Sequence, residues 1–170
     1  ASRGAINGWA LAVHSNVKTL KLGWLQNATL MIGDDGARGD VTSLTVTQWD
    51  NGELIAGTVK SLTLKNDRKN ANANGDMLVD LTLDGPAAGS RAKQALSKAK
   101  IGRHLAGEWD ITGDAGTIDA SKGTTNDWTL DLHSNIKTIK LGLVEQADVT
   151  IGDADGNGKR GDATTISATQ

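Results

Sequence analysis

Val17-Lys-Thr-Leu-Lys-Leu22, Val41-Thr-Ser-Leu-Thr-Val46 and Val59-Lys-Ser-Leu-Thr-Leu64 are three spellings of one string, and that string decides the fold. Positions one, four and six are aliphatic, and Lys, Thr or Ser fill the rest. Alternation over so short a run marks a β-strand with one buried face. The string returns in altered form as Val79-Asp-Leu-Thr-Leu83, Ile136-Lys-Thr-Ile-Lys-Leu141 and Ala163-Thr-Thr-Ile-Ser-Ala168. Successive starts at 17, 41, 59 and 79 lie 24, 18 and 20 residues apart, which suits one circuit of a coil of strands. Shorter strands fit between them at 29–32, 53–55, 108–112, 116–118 and 148–151, with Gly, Asn and Asp at the corners. The expectation is an all-β chain: a β-solenoid (parallel β-helix) of roughly seven to eight rungs, stacked ~4.8 Å apart. A β-sandwich also uses short alternating strands, but it would not predict near-identical strings.

A longer repeat encloses these strings. ASRGAINGWALAVHSNVKTLKLG at the N-terminus returns as ASKGTTNDWTLDLHSNIKTIKLG, so that Trp9 matches Trp128 and His14 matches His133, 119 residues on. After a three-residue insertion the match resumes at Arg38-Gly39-Asp40 against Arg160-Gly161-Asp162 and ends at Gln48 against Gln170. Residues 1–170 therefore read as a single β-solenoid, with a first repeat over 1–119 and a partial second over 120–170. Copying on this scale points to a scaffold rather than a single active site. One segment breaks the pattern. Residues 87–100 are rich in helix formers, with Ser90 as N-cap and Gly102 as stop, and predict a short helix on the flank.

Composition narrows the function classes. The chain has 21 Gly, 1 Pro and no Phe or Tyr, so Leu, Ile, Val and Ala must fill the core. A net charge of −2 gives no reason to expect nucleic acid as a partner. No stretch approaches the ~20 apolar residues of a membrane span, so membrane insertion is not expected. The absence of Cys removes disulfide and thiolate chemistry.

The strongest motif for chemistry is Asp153-Ala-Asp155-Gly-Asn157-Gly158-Lys-Arg-Gly161-Asp162. Oxygen side chains at alternate positions, with Gly for the tight turn, open a Ca²⁺ loop of the EF-hand type. Thr164 stands where that loop would carry its closing Glu, so Asp162 would complete the shell. The expected Ca²⁺ ligands are Asp153, Asp155, Asn157 and Asp162, with Asp34, Asp35 and Asp40 in the shorter first copy. A third loop, Asn70-Ala-Asn72-Ala-Asn74-Gly75-Asp76, reads as a plain corner. His14 and His133 sit in duplicated His-Ser-Asn triplets, which favours hydrogen bonding at a corner over catalysis. Asp110, Asp114, Asp119 and Asp131 are the carboxylates a glycan-cleaving enzyme would draw on, but nothing in the sequence fixes their separation. No catalytic residue is assigned, and the chain is not expected to be an enzyme. Arg-Gly-Asp occurs twice, each time inside an expected calcium loop. The residues Trp9, Trp24, Trp49, Trp109 and Trp128 read as plugs in the core or corners.

The strings Ile136-Lys-Thr-Ile-Lys-Leu-Gly142, Val59-Lys-Ser-Leu-Thr-Leu64 and Gly107-Glu-Trp-Asp-Ile-Thr-Gly-Asp-Ala-Gly-Thr-Ile-Asp-Ala120 resemble the repetitive β-solenoid domains of large bacterial secreted and cell-surface proteins. That resemblance implies an extracellular location and an adhesive or structural role. The sequence also starts and stops in mid-pattern, which leads to an expectation of uncapped ends that join copies head to tail. The function expected is an extracellular structural subunit, stabilised by Ca²⁺, that assembles with itself into a fibre or surface scaffold. The alternative is a segment of a surface adhesin that binds glycans or a host ligand.

Overall fold

The computed structural model describes residues 6–34, 37–67, 73–152 and 161–169. It contains β1 (Ile6–Asn7), β2 (Ala10–Val13), β3 (Val17–Asp34), β4 (Ala37–Arg38), β5 (Asp40–Ala56), β6 (Thr58–Leu64) and β7 (Met77–Leu83). There follow β8 (Leu96–Lys100), β9 (Leu105–Ile111), β10 (Ala115–Leu132), β11 (Ile136–Val144), β12 (Ala147–Ile151) and β13 (Ala163–Ala168). All thirteen belong to one hydrogen-bonded system, and every pairing except β3 with β4 is parallel. The strands read from alternation are present, and the all-β class holds.

The stacking differs from the expected solenoid of seven to eight rungs. β5 pairs β6 through its first half and β7 through its second. β6 leads to β8 and so to the first half of β10, whereas β7 leads to β9 and so to the second half of β10. The circuit β5-β6-β8-β10-β9-β7 closes on itself, giving a six-strand parallel barrel with the other strands outside it. The physical reason lies at two places that read as breaks in the sequence. Asn51 (φ 58) and Gly52 (φ 120) bend β5, and Asp127 (φ 51) bends β10, yet both strands run on through the bend. A single left-handed residue turns a strand without ending it. Each long strand therefore belongs to two walls and ties them together.

The repeat is corrected with the rungs. Its boundary at 119/120 falls inside β10, so the two copies are not tandem structural units. The expected helix over 87–100 is also absent. Ser90 N donates to Ala87 O and Ser90 Oγ accepts from Ala92 N, which closes a turn. Leu96–Lys100 then forms β8, with Leu96 and Ala99 fully buried. Vacant ladder positions on β6 and β10 outweigh the helix preference of Ala and Lys, which is a weak local prior.

The barrel interior shows why Phe and Tyr are dispensable. Leu44, Leu62, Ala99 and Ile118 lie in register on one wall, and Leu54, Leu81, Trp109 and Leu130 on the other. All eight are buried. Three tryptophans supply the remaining bulk. Trp109 and Trp128 meet edge to face, with centroids 5.6 Å apart, and Trp49 Nε1 donates to Ala28 O at 3.2 Å. Aliphatic rows in parallel register give a narrow core, and a few large rings fill what those rows leave open.

Candidate functional site

The polar chemistry of this chain concentrates at the corner where the His-Ser-Asn triplets fall. In the second copy, Ser134 Oγ donates to Asp114 Oδ1 at 2.6 Å, and Asn135 Nδ2 donates to the same oxygen at 3.0 Å. Asn135 Oδ1 in turn accepts from the Asp162 backbone N–H at 2.9 Å. One asparagine thus links the carboxylate before it to the chain segment after it. The first copy repeats half of this, since Asn16 Oδ1 accepts from Asp40 N at 2.7 Å. Asp40 then extends the ladder, accepting from Thr58 Oγ1 and from Ser90 Oγ, both at 2.8 Å.

The histidines stand beside this ladder. His133 Nε2 lies 2.9 Å from Asp110 Oδ1 and 3.9 Å from Asp131 Oδ2. His14 Nδ1 pairs with Asp34 Oδ1. Ser134 is turned to Asp114 and His133 to Asp110, so serine and histidine do not form a nucleophile–base pair. The corner hydrogen-bonding role read from the sequence matches this geometry. Asp114 is held below the ordinary carboxylate value of 3.8, chiefly by the Ser134 hydroxyl; burial pushes the other way, and both Asn135 donors add to the lowering. Asp119 lies elsewhere, at the far end of the first wall. Burial raises its pKa, but the Ser121 hydroxyl and amide, with Lys140 and Lys100 nearby, outweigh that and lower it. The four carboxylates considered for glycan cleavage are therefore not one group: Asp110 and Asp131 face each other across a ladder, Asp114 serves the Ser134–Asn135 corner, and Asp119 bonds to Ser121 within β10.

Of the expected Ca²⁺ ligands, Asp35, Asp153, Asp155 and Asn157 lie outside the described residues. Asp34 is engaged with His14, and both carboxylate oxygens of Asp40 accept hydroxyl hydrogen bonds. Asp162 is exposed and borders a cleft shared with Asp114, Asn135 and Lys137. Among the described residues, no three His, Asp or Glu side chains converge closely enough to hold a metal ion. The first Arg-Gly-Asp is occupied internally, with Arg38 Nε bonded to Asp84 Oδ2 at 3.2 Å. Trp49, Trp109 and Trp128 are core residues, whereas Trp24 is half-buried and donates from Nε1 to Asp50 Oδ2 at 2.7 Å.

Sequence reading missed Ser90 as the partner of Asp40, because it had placed that serine at a helix start. It also missed the pairing of Asp114 with Ser134, twenty residues apart, where only the register of β10 and β11 brings the two together. No family model, curated protein or solved structure matches this chain.

Proposed function

We propose that the chain is a non-enzymatic structural subunit of an extracellular scaffold, joined copy to copy through its outermost parallel strand edges. The observation that carries this reading is the state of those edges. Every residue of β13 is exposed, and Ile166 shows 57% of its surface. At the opposite flank Val17, Leu20 and Leu22 of β3 are only half-buried, and among the described residues this stretch pairs on one side alone, with β5.

The protein contains its own template for the joint. β13 sits on β11 in the register that β5 adopts on β3: Ile139 opposite Ile166, as Leu20 is opposite Leu44. The other edge of β5 accepts β6, with Val41 opposite Val59 and Leu44 opposite Leu62. β6 reads Val59-Lys-Ser-Leu-Thr-Leu64, almost the string Val17-Lys-Thr-Leu-Lys-Leu22 that opens β3. Among the described residues β13 pairs with β11 alone, and a second copy offers through β3 a strand for its other edge, with Ala163 against Val17 and Ile166 against Leu20. Such edge addition supplies main-chain hydrogen bonds at about 1 kcal/mol each and buries the bare aliphatic row. A contact between two different surfaces of one chain propagates unless its rotation closes a ring.

Calcium belongs to the same proposal. Asp153, Asp155, Asn157 and Asp162 would supply oxygen ligands to Ca²⁺ and tether the segment that leads into β13. Sedimentation and negative-stain imaging test both parts together. Growing particles are expected with Ca²⁺, shorter ones in EDTA, and monomers for Ile166→Lys, whose exposed site leaves the fold intact by circular dichroism. A wild-type chain that stays monomeric at high concentration with Ca²⁺ overturns the assembly. Equal growth in Ca²⁺ and EDTA removes the metal alone.

A further inference from the structure

We propose that the cleft at the carboxyl ends of β6 and β8 binds an acidic saccharide through its carboxylate or sulfate groups. The cleft has a volume of about 500 Å³, and Lys65, Lys100, Arg103 and Lys122 are its charged lining, with Thr63 and Asn66 beside them. A cavity of that size accommodates a small polar ligand. Among its lining residues there is no carboxylate.

That charge pattern is local and opposes the rest of the molecule. The chain as a whole carries a net charge of −2. Three other clefts are lined by Asp114, Lys137 and Asp162, by Asp127 and Glu145, or by Glu108, Asp127 and Asp148 among their charged residues. Among these four clefts bordered by described residues, this is the one where cations gather without acids in the lining. Asp119 stands opposite Lys100 in the ladder and near enough to feel its charge, but its hydrogen bonds go to Ser121 N and Ser121 Oγ, and it is not among the lining residues.

Spacing selects the kind of anion. Lys65 follows β6, Lys100 ends β8 and Lys122 lies within β10, and these are successive strands of the sheet. Neighbouring strands lie about 4.8 Å apart, and Lys100 is in register with Thr63 and Asp119, so Lys65 and Lys122 stand further along their own strands and the three ammonium groups are spread both across and along the sheet. A linear ligand with acid groups at intervals meets several of them at once, where a single small anion meets one. Thr63 and Asn66 offer hydroxyl and amide groups to the sugar hydroxyls. This site is independent of the strand edges and of calcium.

Isothermal titration with a heparin-derived tetrasaccharide, tetragalacturonate, maltotetraose and inorganic sulfate tests the proposal. At least one acidic oligosaccharide is expected to bind, more weakly as salt rises. Lys100→Gln/Lys122→Gln, both exposed positions, should lose affinity roughly tenfold without a change in melting temperature. Equal binding of the neutral sugar, no acidic sugar bound, or an unaffected double variant each overturns the site. Sulfate bound as tightly as the oligosaccharides marks an adventitious anion only, and overturns it equally.

Discussion

Residues 9–33 and 128–152 are close copies in sequence and differ sharply in environment. Trp128 is 1% exposed, whereas its counterpart Trp9 is half-buried. Ile139 is fully buried and lies between β10 and β13; Leu20 is half-buried, with β5 on one side. The amide clamp survives in both, as Asn16 to Asp40 and Asn135 to Asp162. The histidine contact does not. His133 reaches back to Asp110 on β9, while His14 reaches forward to Asp34. Burial thus follows from what is stacked on either side, whereas the clamp is local and travels with its triplet. The same side chains are core in one copy and edge in the other.

Replacement of the paired tryptophans gives the largest separation between the copies. Trp128→Ala empties a site packed edge to face against Trp109 and should cost about 3–5 kcal/mol. Trp9→Ala should cost less than half as much, because solvent already reaches the ring. Urea unfolding of the two variants measures the difference. Equal losses would mean that the first copy is as well covered as the second.

The glycines divide the copies almost as strongly. A Cβ on Gly142 would run into the carbonyl oxygen of Gly123, and one on Gly123 into that of Arg103, so this file of backbones approaches too closely for any side chain. Gly23, the counterpart of Gly142, has nothing within 4 Å of the same point. Gly142→Ala should destabilise by about 1–3 kcal/mol through backbone displacement. Gly23→Ala should be neutral or stabilising by roughly 0.5 kcal/mol, since alanine loses less freedom on folding. Thermal melts of the pair distinguish a close approach from a mere tolerance of glycine.

How much of this was legible depended on range. The alternation in Val59–Leu64 and its relatives fixed strand class and inward face, because one face of each strand is buried wherever it sits. The His-Ser-Asn clamp was legible as a corner device from its duplication. The barrel was not legible, since Asn51 and Asp127 look like chain breaks and act as bends within one strand. Nor was β8, where Ala95, Leu96 and Ala99 spell a helical stripe but fill a gap between β6 and β10. The basic cleft escaped for a similar reason: Lys65, Lys100 and Lys122 are far apart in sequence and converge only through strand order. Local pattern specifies the strand; the register of distant neighbours specifies the site.

Acid supplies the finest probe of the comparison, because Ser134 of the second triplet bonds to Asp114, whereas among the described residues Ser15 of the first triplet meets no carboxylate. Its folded pKa lies below the ordinary 3.8, with the Ser134 hydroxyl as the leading cause. A carboxyl whose folded pKa is depressed lends stability above its unfolded value and loses it as pH falls through the folded one. Ser134→Ala removes the leading donor, so the variant should melt below wild type at neutral pH, and the gap should narrow below pH 3.8 as Asp114 protonates. Ser15→Ala, at the matching place in the first copy, should leave the acid limb of the stability curve unchanged. The effect is the smallest of the three, because Asp114 is only half-buried and solvent screens its interactions. A Ser134→Ala gap that stays constant from neutral pH to well below 3.8 would assign the serine a packing role and leave Asp114 out of the acid response.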